Sequence, residues 1–239
     1  MSQNAKQESV VNDDDMRPEY DFSKGLRGEH AYRFLKLHED ELVVLRYWQD
    51  KGFEVGSFSE NEMRDRKTPD YILKRAGEEV AYCEVKSFQE DSWLAKQMKN
   101  LPPDEITGGL RNDPTYNRIS NAIHTAAKQF ESVNPDHRLF NFLVLVNHDR
   151  TAEYKDLVSV LSGYWDPLAG CFERTHLPFS KGRIGVEKGR IDLYVWFNVL
   201  RDGTISRPWF VLGSPDTKAS VCDLLKIDQA QVRDLPPAA

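Results

Sequence analysis

The stretch TPDYILKRAGEEVAYCEVKSF (Thr68–Phe88) contains two strand-like segments separated by a tight turn. We predict strands over residues 70–75 and 79–88, joined at Ala76-Gly77 as a hairpin. Side chains alternate between the two faces of a strand. Alternation places Val80, Tyr82, Glu84 and Lys86 on one face and Ala81, Cys83 and Val85 on the other. Since burying an unpartnered charge is costly, Glu84 and Lys86 on a core strand indicate a functional site.

A second carboxylate lies close to this pair. Asp70 opens the first strand, and the hairpin turn folds that strand back toward Glu84. Two carboxylates that meet on one sheet face repel each other unless a cation lies between them. Oxygen ligands of this kind suit Mg²⁺ or Mn²⁺. The sequence therefore predicts a divalent metal site that includes Asp70 and Glu84.

A third acidic group is predicted on a preceding helix, residues 31–51, which Gly52 ends. Leu37, Glu41, Leu45 and Trp48 follow a helical period of 3.6 and form one stripe. Glu41 lies within this apolar stripe, where a solvent-exposed glutamate is not expected. Glu39 and Asp40 are assigned to the solvent side. We therefore expect Glu41 to converge with Asp70, Glu84 and Lys86.

The order of predicted elements indicates an α/β fold. After the first helix come strands at 53–58, 70–75 and 79–88, a long irregular connection (89–114), a helix at 115–133 and a buried strand at 139–147. A short helix (151–161), a late hairpin turning near Asp202-Gly203 and a terminal helix within 216–233 follow. We assign residues 1–25 to a flexible acidic tail, 26–215 to one domain, and 216–239 to a C-terminal helix and tail.

The sequence resembles the PD-(D/E)XK nuclease superfamily at Pro69-Asp70 and Glu84-Val85-Lys86. The predicted order of elements over residues 31–147 is similar to that family's αβββαβ core. The resemblance implies a restriction endonuclease-like fold with a central mixed sheet flanked by helices, to which this chain adds the late hairpin and terminal helix. It also implies a metal held by Asp70, Glu84, the Val85 carbonyl and, directly or through water, Glu41. Lys86 would position or deprotonate a water molecule that attacks the phosphodiester.

Several further side chains are candidates for contact with nucleic acid. Some family members carry a polar residue near the phosphate on the second helix, where this chain has Lys128 and Gln129, although Gln129 could simply flank the core. Ser87 could donate to a phosphate or simply lie at the end of its strand. Arg111, Asn117 and Arg118 could also contact the nucleic-acid backbone. Trp93, Lys96 and Lys99 could form a flap that faces DNA. For these residues a solvated surface is an equally good interpretation, and His148 is interpreted as a strand-exit residue.

Composition restricts the class of protein. The chain has 239 residues, of which 40% are apolar, enough for a sizeable core. Its three cysteines are far apart, which fits a reducing cytoplasm. No apolar run is long enough for a membrane helix, and the polar N-terminus does not predict a secretion signal. The net charge of −6 argues against a non-specific nucleic-acid binder but leaves room for an enzyme with a local basic groove.

Two functions from different classes follow from the sequence. The first is a metal-dependent nuclease acting most readily on DNA, with RNA as an open alternative and a homodimer as a possible assembly. The second is a catalytically silent nucleic-acid- or protein-binding module on the same fold, in a toxin–antitoxin or defence context. The segment Arg17–His30, which mixes aromatic, charged and glycine residues, is the candidate docking segment for a protein partner.

Overall fold

A computed structural model describes residues 28–89, 102, 114–162, 164–166, 171–173, 184, 187–200 and 203–233, with only the backbone at 28–38, 114, 164–166 and 171–173. Contacts divide the chain into two units, Met1–Lys36 and Leu37–Ala239. The described part of the first unit is the helical backbone of residues 28–36. All side chains with described positions, from residue 39 onward, belong to the second unit.

The described part of the chain contains both α-helices and β-strands. The α-helices are α1 (Gly28–Asp50), α2 (Glu60–Asp65), α3 (Pro114–Val133), α4 (Tyr154–Ser162) and α5 (Lys218–Leu225). The strands are β1 (Glu54–Gly56), β2 (Tyr71–Arg75), β3 (Glu78–Phe88), β4 (Phe140–Asn147), β5 (Tyr164–Asp166), β6 (Cys171–Glu173), β7 (Leu193–Asn198), β8 (Trp209–Leu212) and β9 (Val232–Arg233). Short 3₁₀-helices cover Glu187–Arg190, Pro215–Thr217 and Gln229–Gln231.

Seven strands form one mixed sheet in the order β1-β2-β3-β4-β7-β8-β9. Strands β1, β2 and β3 are antiparallel neighbours, whereas β3, β4 and β7 run parallel. Strand β8 returns antiparallel to β7, which confirms the late hairpin, and β9 pairs with β8 in parallel. The prediction of an α/β fold with a mixed sheet and flanking helices is confirmed at this level. Strands β5 and β6 form a separate two-stranded sheet.

Apolar side chains cover both faces of the sheet, as expected for parallel strands with helices on each side. On one face, residues of α1 and α5 pack against the odd-numbered side chains of β3, including Cys83 and Val85. On the other face, α3 and α4 pack against Phe88, Leu143 and Leu145. All residues of β4 after Phe140 are buried, which confirms the prediction of a strand buried on both faces. Glu84 and Lys86 therefore face the α3 side of the sheet.

The β2–β3 hairpin forms as predicted, with one correction at its turn end. Ala76 and Gly77 both have positive φ angles, 53° and 80°, as the tight turn requires. The pairing shifts register after Leu73, so that Val80 is an extra residue on β3. Val80 consequently packs with the α1-side cluster rather than on the face of Glu84 and Lys86. Alternation from the sequence alone placed Val80 on the wrong face because it assumed an unbroken strand.

Helix α1 is present, but its buried stripe differs from the predicted one. Asp40, Val44 and Trp48 are buried, whereas Glu41 and Leu45 are only partly buried. The side chain of Leu37 lies outside the described residues. The assignment of Asp40 to the solvent side is wrong, because the helix is rotated about one residue relative to the predicted stripe. Gly52 follows the helix with a φ of +81°, as expected for a C-terminal glycine.

Smaller elements depart from the prediction for local reasons. Helix α2 lies between the first two predicted strands, where no helix was predicted, and begins at a capping box between Ser59 and Glu62. The predicted terminal helix ends at Leu225, where Lys226 adopts a left-handed conformation, and β9 occupies its last residues. Among the described residues, no helix is long and apolar enough to cross a membrane. The tail at 1–25, residues 17–27 of the docking segment and nearly all of the connection at 89–114 lie outside the described residues.

Candidate metal and catalytic site

The PD dipeptide immediately precedes strand β2, so the part of β3 beyond Cys83 has no strand partner on its β2 side. Tyr71 pairs with Cys83, so the same register would place Pro69 opposite Val85. Proline has no backbone N–H and cannot donate to a ladder. The Asp70 carboxylate substitutes for the missing strand, because its Oδ2 accepts the Val85 amide at 2.7 Å. The dipeptide thus fixes the Asp70 carboxylate against β3.

The same arrangement leaves the Val85 carbonyl available. In an antiparallel pair, the N–H and C=O of one residue point to the same neighbouring strand. Since the Val85 amide points to Asp70, its carbonyl faces that side too, where Pro69 offers no donor. An oxygen of this kind is a suitable ligand for Mg²⁺ or Mn²⁺.

Glu84 and Lys86 form an ion pair on the α3 side of the sheet. The Lys86 ammonium contacts Oε1 of Glu84, whose side chain is 1% exposed, whereas that of Lys86 is 27% exposed. Oε2 of Glu84 is buried and has no hydrogen-bond partner within the part of the chain that the structure describes. Buried polar atoms are rarely left unsatisfied. Oε2 therefore marks a position at which a proton, a water molecule or a cation would be stabilised.

Burial raises the pKa of both carboxyl groups, and the charge of Asp70 adds to the shift at Glu84. Burial, followed by the charge of Asp70, raises the pKa of Glu84 to about 8, and the Lys86 ammonium opposes this shift. Burial also raises the pKa of Asp70, although the Val85 amide and Lys86 act in the opposite direction. Two carboxyl groups whose pKa values are raised in this way favour a shared proton or a cation between them.

Gln129 on α3 lies beside these carboxyl groups. Its Nε2 donates to the Thr68 carbonyl at 2.8 Å, and its Oε1 is buried with no hydrogen-bond partner among the described residues. The Gln129 side chain also lowers the pKa of Glu84 and so lies close to that carboxyl group, although its hydrogen bond is made to Thr68. The neighbouring Lys128 is exposed. The predicted contacts of Gln129 and Lys128 with nucleic acid remain predictions.

Glu41 lies near the site but does not complete a three-carboxylate group. The Glu41 carbonyl accepts the Tyr71 hydroxyl at 3.0 Å. Burial, then the charges of Glu41 and Asp70, raise the pKa of Tyr71, so both carboxylates lie within electrostatic reach of its hydroxyl. In the part of the chain that the structure describes, no three His, Cys, Asp or Glu side chains form a group that could hold a metal ion. The catalytic and metal-binding roles of Glu41 remain predictions.

A second polar cluster, which the sequence did not reveal, joins α1 to the ends of β3 and β4. Asp40 is 4% exposed, and its Oδ2 accepts the Ser87 hydroxyl at 2.5 Å. The His148 Nε2 lies 2.9 Å from Oδ1 and 2.8 Å from Oδ2 of the same carboxylate. The Ser87 hydroxyl proton is therefore engaged by Asp40 in this structure. The spacing of Asp40 from Val44 and Trp48 was the available signal for this cluster.

This cluster predicts unequal effects for two neighbouring acidic residues. We expect Asp40→Ala to lower the free energy of unfolding by about 2 kcal/mol, because Ser87 and His148 lose their buried acceptor. The exposed Glu39 is the matched control, and Glu39→Ala should change it by less than about 0.5 kcal/mol. Urea unfolding monitored by circular dichroism measures both values. Equal effects of the two substitutions would contradict the assignment.

Arg118, a predicted nucleic-acid contact, is bound inside the protein. Its guanidinium pairs with the fully buried carboxylate of Asp149 and donates to the Gln89 carbonyl at 2.6 Å and to Thr115 Oγ1 at 3.2 Å. Asn117 Oδ1 is buried and lacks a hydrogen-bond partner. Arg111, Trp93, Lys96 and Lys99 lie outside the described residues.

The basic residues around the PD segment are largely compensated. Arg64 and Arg66 pair with Glu60 and Glu62 on α2, and Lys74 pairs with Glu79 across the hairpin. Arg75 donates to the carbonyls of Lys51 and Leu224 and lies over the Phe53 ring. Only Arg75 is held by partly buried hydrogen bonds, whereas Arg64, Arg66 and Lys74 form exposed ion pairs and Lys67 is exposed.

We compared the chain with protein-family models, with curated proteins and with solved structures. None of the three comparisons gives a significant match. The function is therefore inferred from the geometry around Asp70, Glu84 and Lys86.

Proposed function

We propose that this protein is a divalent-metal-dependent nuclease with a PD-(D/E)XK-type site on a restriction endonuclease-like core. One observation carries the proposal: the buried carboxyl group of Glu84 and the partly buried one of Asp70 meet beside a lysine, just before β2 begins. An inert core would not be expected to retain such a cluster, since buried charges are costly unless they are compensated.

The donor set fits Mg²⁺ or Mn²⁺. Asp70 and Glu84 supply carboxylate oxygens, and the Val85 carbonyl faces the same side. The buried Oε2 of Glu84, which has no hydrogen-bond partner among the described residues, is an oxygen that such a cation would satisfy. Asp70, Glu84 and Val85 would hold the metal. Bound there, a divalent cation would lower the pKa of a coordinated water and neutralise charge on the phosphate.

Asp70 and Lys86 would have separate roles in the reaction. Asp70 is fixed by the Val85 amide, so little conformational freedom is lost when a ligand binds. The Lys86 ammonium lies next to Glu84 and reaches solvent, where it would hold the attacking water or stabilise charge that develops on the phosphate.

A cleavage assay tests this function. Labelled duplex DNA, single-stranded DNA and RNA are each incubated with the protein and Mg²⁺ or Mn²⁺, and EDTA controls are included. We expect Asp70→Asn and Lys86→Met to lower the rate at least about a hundredfold, because each removes a group that acts on the reacting phosphate. Circular dichroism checks that both variants remain folded.

Matched substitutions at exposed positions control for non-specific effects. Asp223→Asn on α5 and Lys155→Met on α4 make the same chemical changes far along the chain and should leave the rate unchanged. Equal cleavage by the wild type and both site variants would contradict the proposal. Nucleic-acid binding without metal-dependent cleavage would instead identify a catalytically silent binding module.

A further inference from the structure

The segment that leads into Asp70 is held by side chains of α3 rather than by strand pairing. The Lys67 carbonyl accepts the Ser132 hydroxyl, and the Thr68 carbonyl accepts Gln129 Nε2 at 2.8 Å. In return, Arg66 Nη1 donates to the Ser132 carbonyl at 3.3 Å. Gln129 and Ser132 are three residues apart, so they lie on the same face of the helix. These bonds fix the two successive peptide groups before Pro69-Asp70 to helix α3.

This attachment controls the position of Asp70 by simple geometry. Pro69 is buried and has a restricted φ angle, so Asp70 has little freedom relative to Thr68. On its other side, the Asp70 carboxylate is bound to the Val85 amide. The position of the Asp70 carboxylate is thus fixed twice. Helix α3 holds the backbone that precedes it, and the Val85 amide of β3 holds the carboxylate itself.

We propose that Ser132 and Gln129 form a clamp, defined by their bonds to Lys67 and Thr68, that positions Asp70 for metal binding. They are positioning residues, because the contacts that they make are to backbone carbonyls of the chain. This inference rests on the proposed function and deepens it. It also gives Gln129 a role that does not require phosphate contact, since one of its two amide hydrogens binds the Thr68 carbonyl.

The clamp differs from the ion pairs on the neighbouring surface in its expected strength. Arg66 and its partner Glu62 are both substantially exposed, and exposed pairs contribute little. The Gln129 amide is partly buried, and its Oε1 is shielded from solvent. Bonds shielded from water constrain geometry more strongly than exposed ones. The Ser132–Lys67 bond is exposed, as the Arg66 contact is, so Gln129 carries most of the positioning effect.

The test uses the full chain and the double variant Ser132→Ala/Gln129→Met, with Ser132→Thr as the conservative variant. Hydrogen exchange of the Val85 amide, followed by NMR without metal, reports directly on the Asp70–Val85 bond. We expect exchange to become at least about tenfold faster in the double variant, by analogy with the loss caused by removing residues that orient metal ligands. The amides of Val144 and Leu145 in the core should be unaffected, and Ser132→Thr should behave like the wild type.

Cleavage kinetics supply the second readout. In the double variant, kcat should fall about tenfold and the Mg²⁺ concentration for half-maximal rate should rise, whereas KM for the nucleic acid should not change. Ser159→Ala is the matched control, because that exposed serine also donates to a helix carbonyl. It should alter none of these quantities.

The outcomes separate the clamp from the proposed function. Unchanged Val85 exchange in the double variant would overturn the clamp, whatever the activity. An increase in KM with unchanged kcat would also overturn it, because the residues would then contact the substrate. If the wild type cuts no nucleic acid but Val85 exchange accelerates as expected, the proposed function fails while the positioning of Asp70 by α3 is supported.

Discussion

Between pH 5 and pH 8, the metal-free protein is expected to lose stability relative to its Glu84→Gln variant, by on the order of 4 kcal/mol. The pKa of Glu84 rises from 4.5 to about 8 on folding, because of burial and the nearby Asp70 charge. The folded state therefore retains a proton that the unfolded chain releases above pH 4.5. This contribution to stability is fully present below pH 4.5 and is lost as the pH rises toward 8.

Urea unfolding in EDTA at a series of pH values measures this difference. Glu84→Gln removes the titrating group with little change in shape, so the difference between wild type and variant isolates its contribution. Glu54→Gln, at an exposed position on β1, is the matched control and should run parallel to the wild type. A difference that stays constant from pH 5 to pH 8 would contradict the raised pKa of Glu84.

Metal addition extends the same measurement. At pH 8, Mg²⁺ should raise the melting temperature of the wild type, because ligand binding to the native state stabilises it. Glu84→Gln has lost one of the two carboxylates and should respond much less. The difference in melting temperature between wild type and Glu84→Gln therefore measures metal binding without a nucleic-acid substrate.

Gly213→Ala is expected to lower the free energy of unfolding by about 3 kcal/mol. Gly213 follows β8, and its amide donates to the Asp192 carbonyl at 2.9 Å, just before β7 begins. A Cβ at this position would lie 1.7 Å from the Ile191 carbonyl oxygen and 2.9 Å from its carbon. Both atoms belong to the backbone, so relief requires the two chain segments to separate.

Gly189 provides a matched control for this substitution. It lies in the 3₁₀-helix Glu187–Arg190, and a Cβ there would meet no atom within 4 Å. Gly189→Ala should therefore change the free energy of unfolding by less than about 0.5 kcal/mol. Denaturant unfolding measures both variants, and an equal tolerance of alanine at the two positions would contradict the close approach at Gly213.

The sequence predicted the central part of the fold because its signals are local. The apolar run of β4, the Ala76-Gly77 turn and the apolar side of α3 each follow from neighbouring residues. The bulge at Val80 could not be predicted in this way, because it depends on how β2 and β3 pair. Helix α2, by contrast, had a readable signal in its capping box.

The candidate site was predictable to a similar extent. Asp70, Glu84 and Lys86 come together because one hairpin carries all three. The phase of α1 was misassigned, since an acidic residue at position 40 looks like a surface residue until His148 and Ser87 are placed beside it. Ser132 lies 65 residues from Lys67 in the chain, so no local pattern indicates their contact.

The bulge at Val80 makes insertions and deletions unequal along β3. Near the turn, the extra residue already interrupts the two-residue period, so a change of length there can be absorbed by local rearrangement. Between Ala81 and Glu84 the pairing is regular, so the strand cannot absorb an added or missing residue. A shift of one residue there would move every side chain to the opposite face of the strand. Glu84 and Lys86 would then point to the α1 side, and Val85 would take their place. The chain length of this short segment is therefore as strongly constrained as the identity of its charged residues.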